Sequence, residues 1–193
     1  MDNGDERIQY LIDQYATFHA GSGYGPGDSL LRGPEAWSFG MLLDLLDEND
    51  CKTVIDYGCG KGVLVDLLND YAEGEKYKAY GYDPAIPEYE NVPKDVEFDA
   101  LLCLDVLEHI PEEHMDEFFA SLRDFDSKAY MLNICCKLAK QLLPDGTNPH
   151  VTVKNYGWWR EKVEHFFSGD YNIDYVTNDT RVEILFQLIK KGE

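Results

Sequence analysis

Asp105, Glu108 and His109 stand within one five-residue run, Asp105-Val106-Leu107-Glu108-His109. If that run turns helically, spacings of three and four bring all three side chains to one side. Two carboxylates and an imidazole can hold a divalent cation, or can take the proton from a reacting hydroxyl. His150 follows the next apolar strand-like run, so it is expected at the same end of a sheet. Three readings stay open for this set. Asp105, Glu108, His109 and His150 could be metal ligands. His109 or His150 could be a general base, with Asp105 beside it as a catalytic group. Alternatively, the set is structural.

A second constellation lies upstream in Asp56-Tyr57-Gly58-Cys59-Gly60-Lys61-Gly62. It follows an apolar strand-like run and opens a helical one. Glycines let the backbone turn sharply and approach a ligand closely, and a helix N-terminus offers free N–H groups. Asp83 ends the next strand, roughly twenty residues on, where a carboxylate can accept the hydroxyl hydrogens of a ribose. Asp56, Gly58, Cys59, Gly60, Gly62 and Asp83 are therefore the candidate cofactor contacts. The spacing does not match the nicotinamide fingerprint, which runs Gly-x-Gly-x-x-Gly.

A third feature is electrical. Residues 137–162 carry Lys137, Lys140, Lys154, Arg160 and Lys162 against Asp145 and Glu161, in a chain whose net charge is −20. Tyr156, Trp158 and Trp159 lie in the same stretch. Cations beside stackable rings suit a phosphorylated or nucleotide-bearing acceptor. Trp158, Trp159 and Lys154 are the candidate acceptor contacts. Because adjacent helical residues face different ways, one of the two tryptophans is expected to pack inward. Tyr24 joins this set from a glycine-rich loop, Gly21–Gly27, which with Tyr15 and His19 could close over the site or serve as a plain helical cap.

The elements that must position these residues alternate. Helices are expected over 7–19 and after Pro34. Strands are expected at Thr53–Tyr57, Lys78–Tyr82, Phe98–Leu104 and Lys128–Ile134, with helices between them. On the helix from Val63 to Tyr71, Val63, Leu64, Leu67, Leu68 and Tyr71 are expected to face inward. His150–Lys154 is a further short strand candidate, followed by a helix at Gly157–Phe167. Strands near Asn172–Thr177 and Val182–Lys190 are joined so closely that only an antiparallel pair is allowed. Strand–helix alternation predicts an α/β fold: a Rossmann-like three-layer α/β/α sandwich. Its sheet is mostly parallel, of the seven-stranded type, with an antiparallel C-terminal strand pair. One domain over 1–193 is expected, with a helical cap at 1–48 and the core at 50–193.

Composition limits the partners. The chain has 193 residues, 44% of them hydrophobic, which suits one globular domain. No apolar run reaches the roughly 18–20 residues of a membrane span, and the N-terminus lacks a signal-peptide pattern, so a cytoplasmic protein with no membrane partner is expected. The acidic surface disfavours duplex nucleic acid. The five cysteines form no Cys-x-x-Cys pair and read as small buried hydrophobes. The oligomeric state has no signal here.

The glycine loop, the acid at Asp83 and the Asp105-Val106-Leu107-Glu108-His109-Ile110 run together resemble the class I S-adenosylmethionine-dependent methyltransferases. Motifs carry the resemblance over roughly residues 50–135, and element order carries it to 190. In that family the loop holds the methionine part of S-adenosylmethionine and the acid after the second strand holds the ribose; the positions carried over are Asp56, Gly58, Gly60, Gly62 and Asp83. The run from Asp105 is similar to that of members acting on small molecules, many of which bind no metal; the resemblance then implies that Asp105 contacts the cofactor while Glu108 and His109 cap the next helix. The Leu143-Pro144-Asp145-Gly146 segment and paired tryptophans resemble phage and environmental bacterial members. An acid-x-x-Glu-His set with a distant histidine holds a metal in the ubiquinone-biosynthesis O-methyltransferases and the small-RNA terminal 2′-O-methyltransferases. The resemblance thus implies methyl transfer to oxygen, or less directly nitrogen, of a small anionic acceptor, with a divalent metal as an optional cofactor. Methylation of a nucleic-acid terminus and non-catalytic binding of S-adenosylmethionine are the alternatives. One departure is the short, proline-interrupted segment Ile86–Glu97, where the family places an adenine contact; Asp95 is the candidate there.

Overall fold

The computed structural model of the protein describes residues 3–21 and 37–192. Tyr24 and most of the glycine loop around it lie outside the described residues. The order of elements is α1 (Asn3–Gly21), α2 (Trp37–Glu48), β1 (Thr53–Tyr57), α3 (Val63–Asp70), β2 (Lys78–Tyr82), β3 (Ala100–Leu104), α4 (Met115–Arg123), β4 (Ala129–Cys135), α5 (Tyr156–Phe167), β5 (Tyr171–Asn178) and β6 (Glu183–Lys190).

The strands form one sheet in the order β2-β1-β3-β4-β6-β5. The pairs β1–β2, β1–β3 and β3–β4 are parallel, while β6 runs antiparallel to both β4 and β5. This is the expected Rossmann-like sheet with its antiparallel closing pair. It has six strands among the described residues. The seventh would have to come from the segment after β2, where Ile86 N–H bonds to Asp83 O and Tyr89 N–H to Ile86 O. Those two bonds make turns, and Pro87 and Pro93 remove ladder donors.

Alternation along the strands divides the interior into two layers. Ala100, Leu102 and Leu104 of β3 and Met131 of β4 pack with Leu42, Leu46, Leu64 and Leu68 on one face. Leu101 and Cys103 of β3 and Tyr130, Leu132 and Ile134 of β4 pack with Met115, Phe119, Val163 and Phe167 on the other. β3 and β4 are buried along their whole length, as strands covered on both faces must be.

Two expectations are corrected. On α3, Leu64, Val65 and Leu68 are buried, while Val63 and Leu67 are exposed at 40% and 38%. The helix is rotated so that Val65 takes the place expected of Leu67. His150–Lys154 is not a strand. Thr152 N–H bonds to Glu108 O and its hydroxyl to Ile110 O, so the segment crosses the turn after β3 instead of joining the sheet. The helix that follows, α5, starts where the Asn155 side chain accepts the Trp158 N–H. All five cysteines are free and four are buried, as small hydrophobes would be. No helix among the described residues is long and apolar enough to cross a membrane.

Candidate active site

Parallel strands end together, so β1, β2, β3 and β4 deliver the loops that follow them to one edge of the sheet. The loop after β1 makes the first part of the site. Gly58 and Gly62 have φ of +92° and +74°, in the region L side chains rarely adopt. A Cβ on Gly58 would stand 2.3 Å from Val106 Cγ2, and one on Gly62 2.2 Å from the Tyr89 hydroxyl. Close approach is therefore demanded by the protein's own packing at both positions.

The loop's donors are largely used internally. Gly58 and Cys59 donate to Tyr82 O, Gly62 donates to Cys59 O, and Gly60 donates to Asp83 Oδ2 at 2.9 Å. Asp83 Oδ1 accepts from Ala85 N–H at 2.9 Å. Asp83 is thus a fixed carboxylate, 8% exposed, with one further acceptor position on each oxygen. Asp56 lies deeper at the end of β1; burial, then the charge of Asp83, raises its pKa from 3.8 to about 7. Cys59 is buried, and its thiol pKa is pushed up, mainly by desolvation. Asp95 is exposed, with a left-handed backbone.

The second part follows β3. Asp105 has φ +56°, so the chain does not turn helically from that residue. Its N–H donates to Asn133 O at 2.8 Å, and its Oδ1 accepts from Asn133 Nδ2 at 2.6 Å. A short helical turn then spans Leu107–His109. Glu108, His109 and His150 bring donor atoms within 4.8 Å of one another, and Asp105 is not in that group. Glu108 is fully buried. One of its oxygens accepts the Cys135 N–H at 3.1 Å, and Oε2 has no partner. Burial raises the Glu108 pKa well above the usual range, and the charges of Asp105 and Glu183 add to the shift. Three carboxylates therefore face a common region in which one oxygen is unanswered.

The histidines beside it are held neutral. Desolvation, then the neighbouring His150, pushes His109 down to about 3. Desolvation also lowers the pKa of His150, whose Nδ1 meets Lys137 O at 2.5 Å. That carbonyl takes a proton on His150 Nδ1 and leaves the other ring nitrogen with its lone pair. At His109, Nδ1 meets the Tyr15 hydroxyl at 2.7 Å and Pro149 O at 3.0 Å, and the Asp105 carbonyl is a further acceptor for the ring. A proton on Nδ1 satisfies Pro149 and leaves the other nitrogen as a donor of electrons. A proton on the other nitrogen satisfies Asp105 and leaves Nδ1 to accept from Tyr15.

The sequence pattern did not reveal Asn133 or Glu183 as part of this site, and it named Tyr15 only as a neighbour of the glycine loop that could close over it. Each arrives by tertiary packing, from β4, β6 and α1. Among the described residues, the expected acceptor contacts Trp158 and Trp159 lie on α5 and Lys154 just before it. Trp159 is fully buried in the second core layer. Trp158 is flanked by Lys154 and Lys162, at 5.2 and 5.5 Å from its ring centre. Those lysines pair with Glu112 and Asp116, and Arg160 with Glu164, which neutralises most of the local positive charge.

A family profile described as a methyltransferase domain matches residues 36–166. The chain belongs to the methyltransferase domain family. It is a class I S-adenosylmethionine-dependent methyltransferase. No curated protein sequence matches this methyltransferase significantly. Solved structures similar to it include the methyltransferase domain of bacterial CtHen1-CN, at 18% identity and a TM-score of 0.56, covering 79% of this chain and 97% of that one. Another is the Burkholderia thailandensis 1,6-didemethyltoxoflavin-N1-methyltransferase with bound 1,6-didemethyltoxoflavin and S-adenosylhomocysteine. It has 11% identity and a TM-score of 0.57, covering 96% of this chain and 90% of that one. The magnesium protoporphyrin IX methyltransferase ChlM of Synechocystis PCC 6803, with bound SAM, has 15% identity and a TM-score of 0.57, covering 99% and 98%. At these identities the likeness concerns the fold.

Proposed function

We propose that this methyltransferase moves the methyl group of S-adenosylmethionine to an oxygen of a small acceptor, at a centre where Glu108, His109 and His150 hold a divalent cation. The observation that carries this reading is the unpartnered, fully buried Glu108 Oε2 beside two neutral imidazoles. A buried carboxylate oxygen without a hydrogen-bond donor is costly unless it is protonated or a cation answers it, and two neutral imidazoles beside it favour the cation. Carboxylate and imidazole together suit divalent transition metals better than calcium. Fixed second-sphere partners, Lys137 O on His150 and Pro149 O on His109, aim ligating histidines. Asp105, tied to Asn133, adds negative charge from outside the ligand set.

The cofactor would supply an electrophilic methyl on a sulfonium that leaves as a neutral thioether, and a bound divalent cation would lower the pKa of a coordinated hydroxyl so that its proton is lost to solvent. The chain's own residues do the rest. Gly58–Gly62 and Asp83 form the cofactor cradle, Asp83 accepting ribose hydroxyls and Asp56 offering buried negative charge to the cationic amino-acid end. Glu108, His109 and His150 fix the acceptor oxygen in line with the methyl, and positioning of this kind can supply much of a displacement reaction's acceleration.

The acceptor is small because α1 lies across the mouth. Arg7 pairs with Glu113, Tyr10 bonds to Asp145 at 2.6 Å, and Tyr15 reaches His109 and Pro149. α1 thus acts as a cap over the site, while α2 packs into the core through Leu42 and Leu46. An anionic acceptor would meet Lys137, whose charge reaches His150 and Glu183. A second reading, methylation of an RNA end, draws on the likeness to the CtHen1 domain and to a Pnkp1/Rnl/Hen1 RNA repair complex. The net charge of −20 and the cap oppose it.

Methyl-labelled S-adenosylmethionine, incubated with the protein and a cell lysate, tests both. Label in the small-molecule fraction, lost with chelator and restored by added divalent metal, is expected. Label in acid-precipitable RNA would favour the second reading, and transfer indifferent to chelator would overturn the metal-assisted one.

A further inference from the structure

The last turn of α1 carries a second unanswered polar atom. His19 is 7% exposed, and its Nδ1 is buried with no hydrogen-bond partner. Three contacts fix where that turn lies. Arg7–Glu113, Tyr10–Asp145 and the Tyr15 hydroxyl on His109 and Pro149 stretch α1 over the loops after β3 and β4. The end of the helix then reaches the loops after β1 and β2: the charges His19 experiences are those of Asp83 and Lys61, and His19 in turn depresses the pKa of His109. His19 therefore stands between the ribose-binding carboxylate and the acceptor centre. Burial keeps its ring neutral, with a single N–H to donate.

We propose that His19 Nδ1 donates a hydrogen bond to the α-carboxylate of bound S-adenosylmethionine. The inference rests on the reading of Gly58–Gly62 and Asp83 as the cofactor cradle and deepens it. Covalent order in the cofactor runs adenine, ribose, sulfur, amino acid. The sulfur must face the acceptor centre, so the space between Asp83 and His109 belongs to the amino-acid side of the ribose. Among the groups on that side, the amine and the sulfonium are cationic and cannot accept from an N–H, while the ribose hydroxyls are neutral, weaker acceptors and are turned towards Asp83. The carboxylate is the acceptor that remains, and the nearby positive charge of Lys61 favours an anion there. His19 is thus a positioning residue: by holding one end of the amino acid it sets where the methyl group points.

Calorimetric titration with two ligands tests this. S-adenosylhomocysteine has the carboxylate; 5′-methylthioadenosine keeps adenine, ribose and sulfur but lacks it. His19→Ala is expected to weaken S-adenosylhomocysteine roughly 10- to 100-fold, the range of a lost hydrogen bond to a charged group, and to leave 5′-methylthioadenosine unchanged. His19→Asn, whose amide N–H takes the place of Nδ1–H, is expected to restore most of the affinity. Unchanged binding of S-adenosylhomocysteine by His19→Ala, or equal loss for both ligands, would overturn the assignment. Failure of the unaltered protein to bind either ligand would overturn the cradle reading beneath it.

Discussion

The hydroxyl of Tyr15 lies 2.7 Å from Nδ1 of His109, bridging the cap helix to the turn after β3. The same hydroxyl donates to Pro149 O at 2.9 Å, so one atom joins three segments distant in sequence. The phenol is largely buried, and desolvation holds it protonated through the whole physiological range. Tyr15→Phe removes this junction while leaving the His109–Pro149 contact in place. It is expected to cost about 0.5–1.5 kcal/mol of stability, read from chemical denaturation.

Asp83 is set up to bind, with each oxygen already fixed by one backbone N–H and one acceptor position left. Asp83→Ala should weaken S-adenosylhomocysteine by about 1–3 kcal/mol in calorimetric titration. Unchanged affinity would remove Asp83 from the ribose site.

Asp56 predicts a pH dependence. Its folded pKa of about 7 exceeds the ordinary 3.8, so the folded protein holds a proton there that the unfolded chain has lost. The contribution to stability is full below pH 4 and is lost as pH rises towards and through 7. Without cofactor, unfolding free energy should therefore carry a component on the order of 2–4 kcal/mol that declines between pH 4 and 7. Asp56→Asn should flatten that part of the curve; an unaltered slope would show that Asp56 is already ionised.

Gly62 joins a left-handed backbone to a crowded Cβ position under Tyr89. Gly62→Ala should lower the thermal midpoint, reflecting at least about 1–2 kcal/mol from the backbone conformation alone. A midpoint equal to that of the unaltered protein would mean that the loop re-forms around Tyr89.

Much of the fold could be read from short apolar runs alternating with helical ones, since the central strands β3 and β4 are buried along their length. β1 and β2 fall at their expected limits because both begin and end at sharp changes of residue type. What one residue type cannot reveal is rotation about its element. Val65 and Leu67 of α3 are alike in character, and packing into the core layer that also holds Leu46 and Tyr77, not pattern, selects Val65. The site shows the same boundary. His150 does join Glu108 and His109, because strand ends are shared in a parallel sheet. Asp105 leaves that group because its backbone is left-handed and its side chain is held by Asn133. A helical spacing argument presumes one continuous turn and cannot anticipate that break. His19 and Tyr15 were visible only as neighbours of a glycine loop, since nothing local states where α1 docks.

The most direct measurement is the divalent metal content and affinity of the purified protein, by mass spectrometry after dialysis and by calorimetric titration. The account predicts one cation per chain, lost in Glu108→Gln and in His150→Ala while binding of S-adenosylhomocysteine persists. A folded, cofactor-binding protein that takes up no divalent ion at any concentration short of nonspecific binding would contradict it.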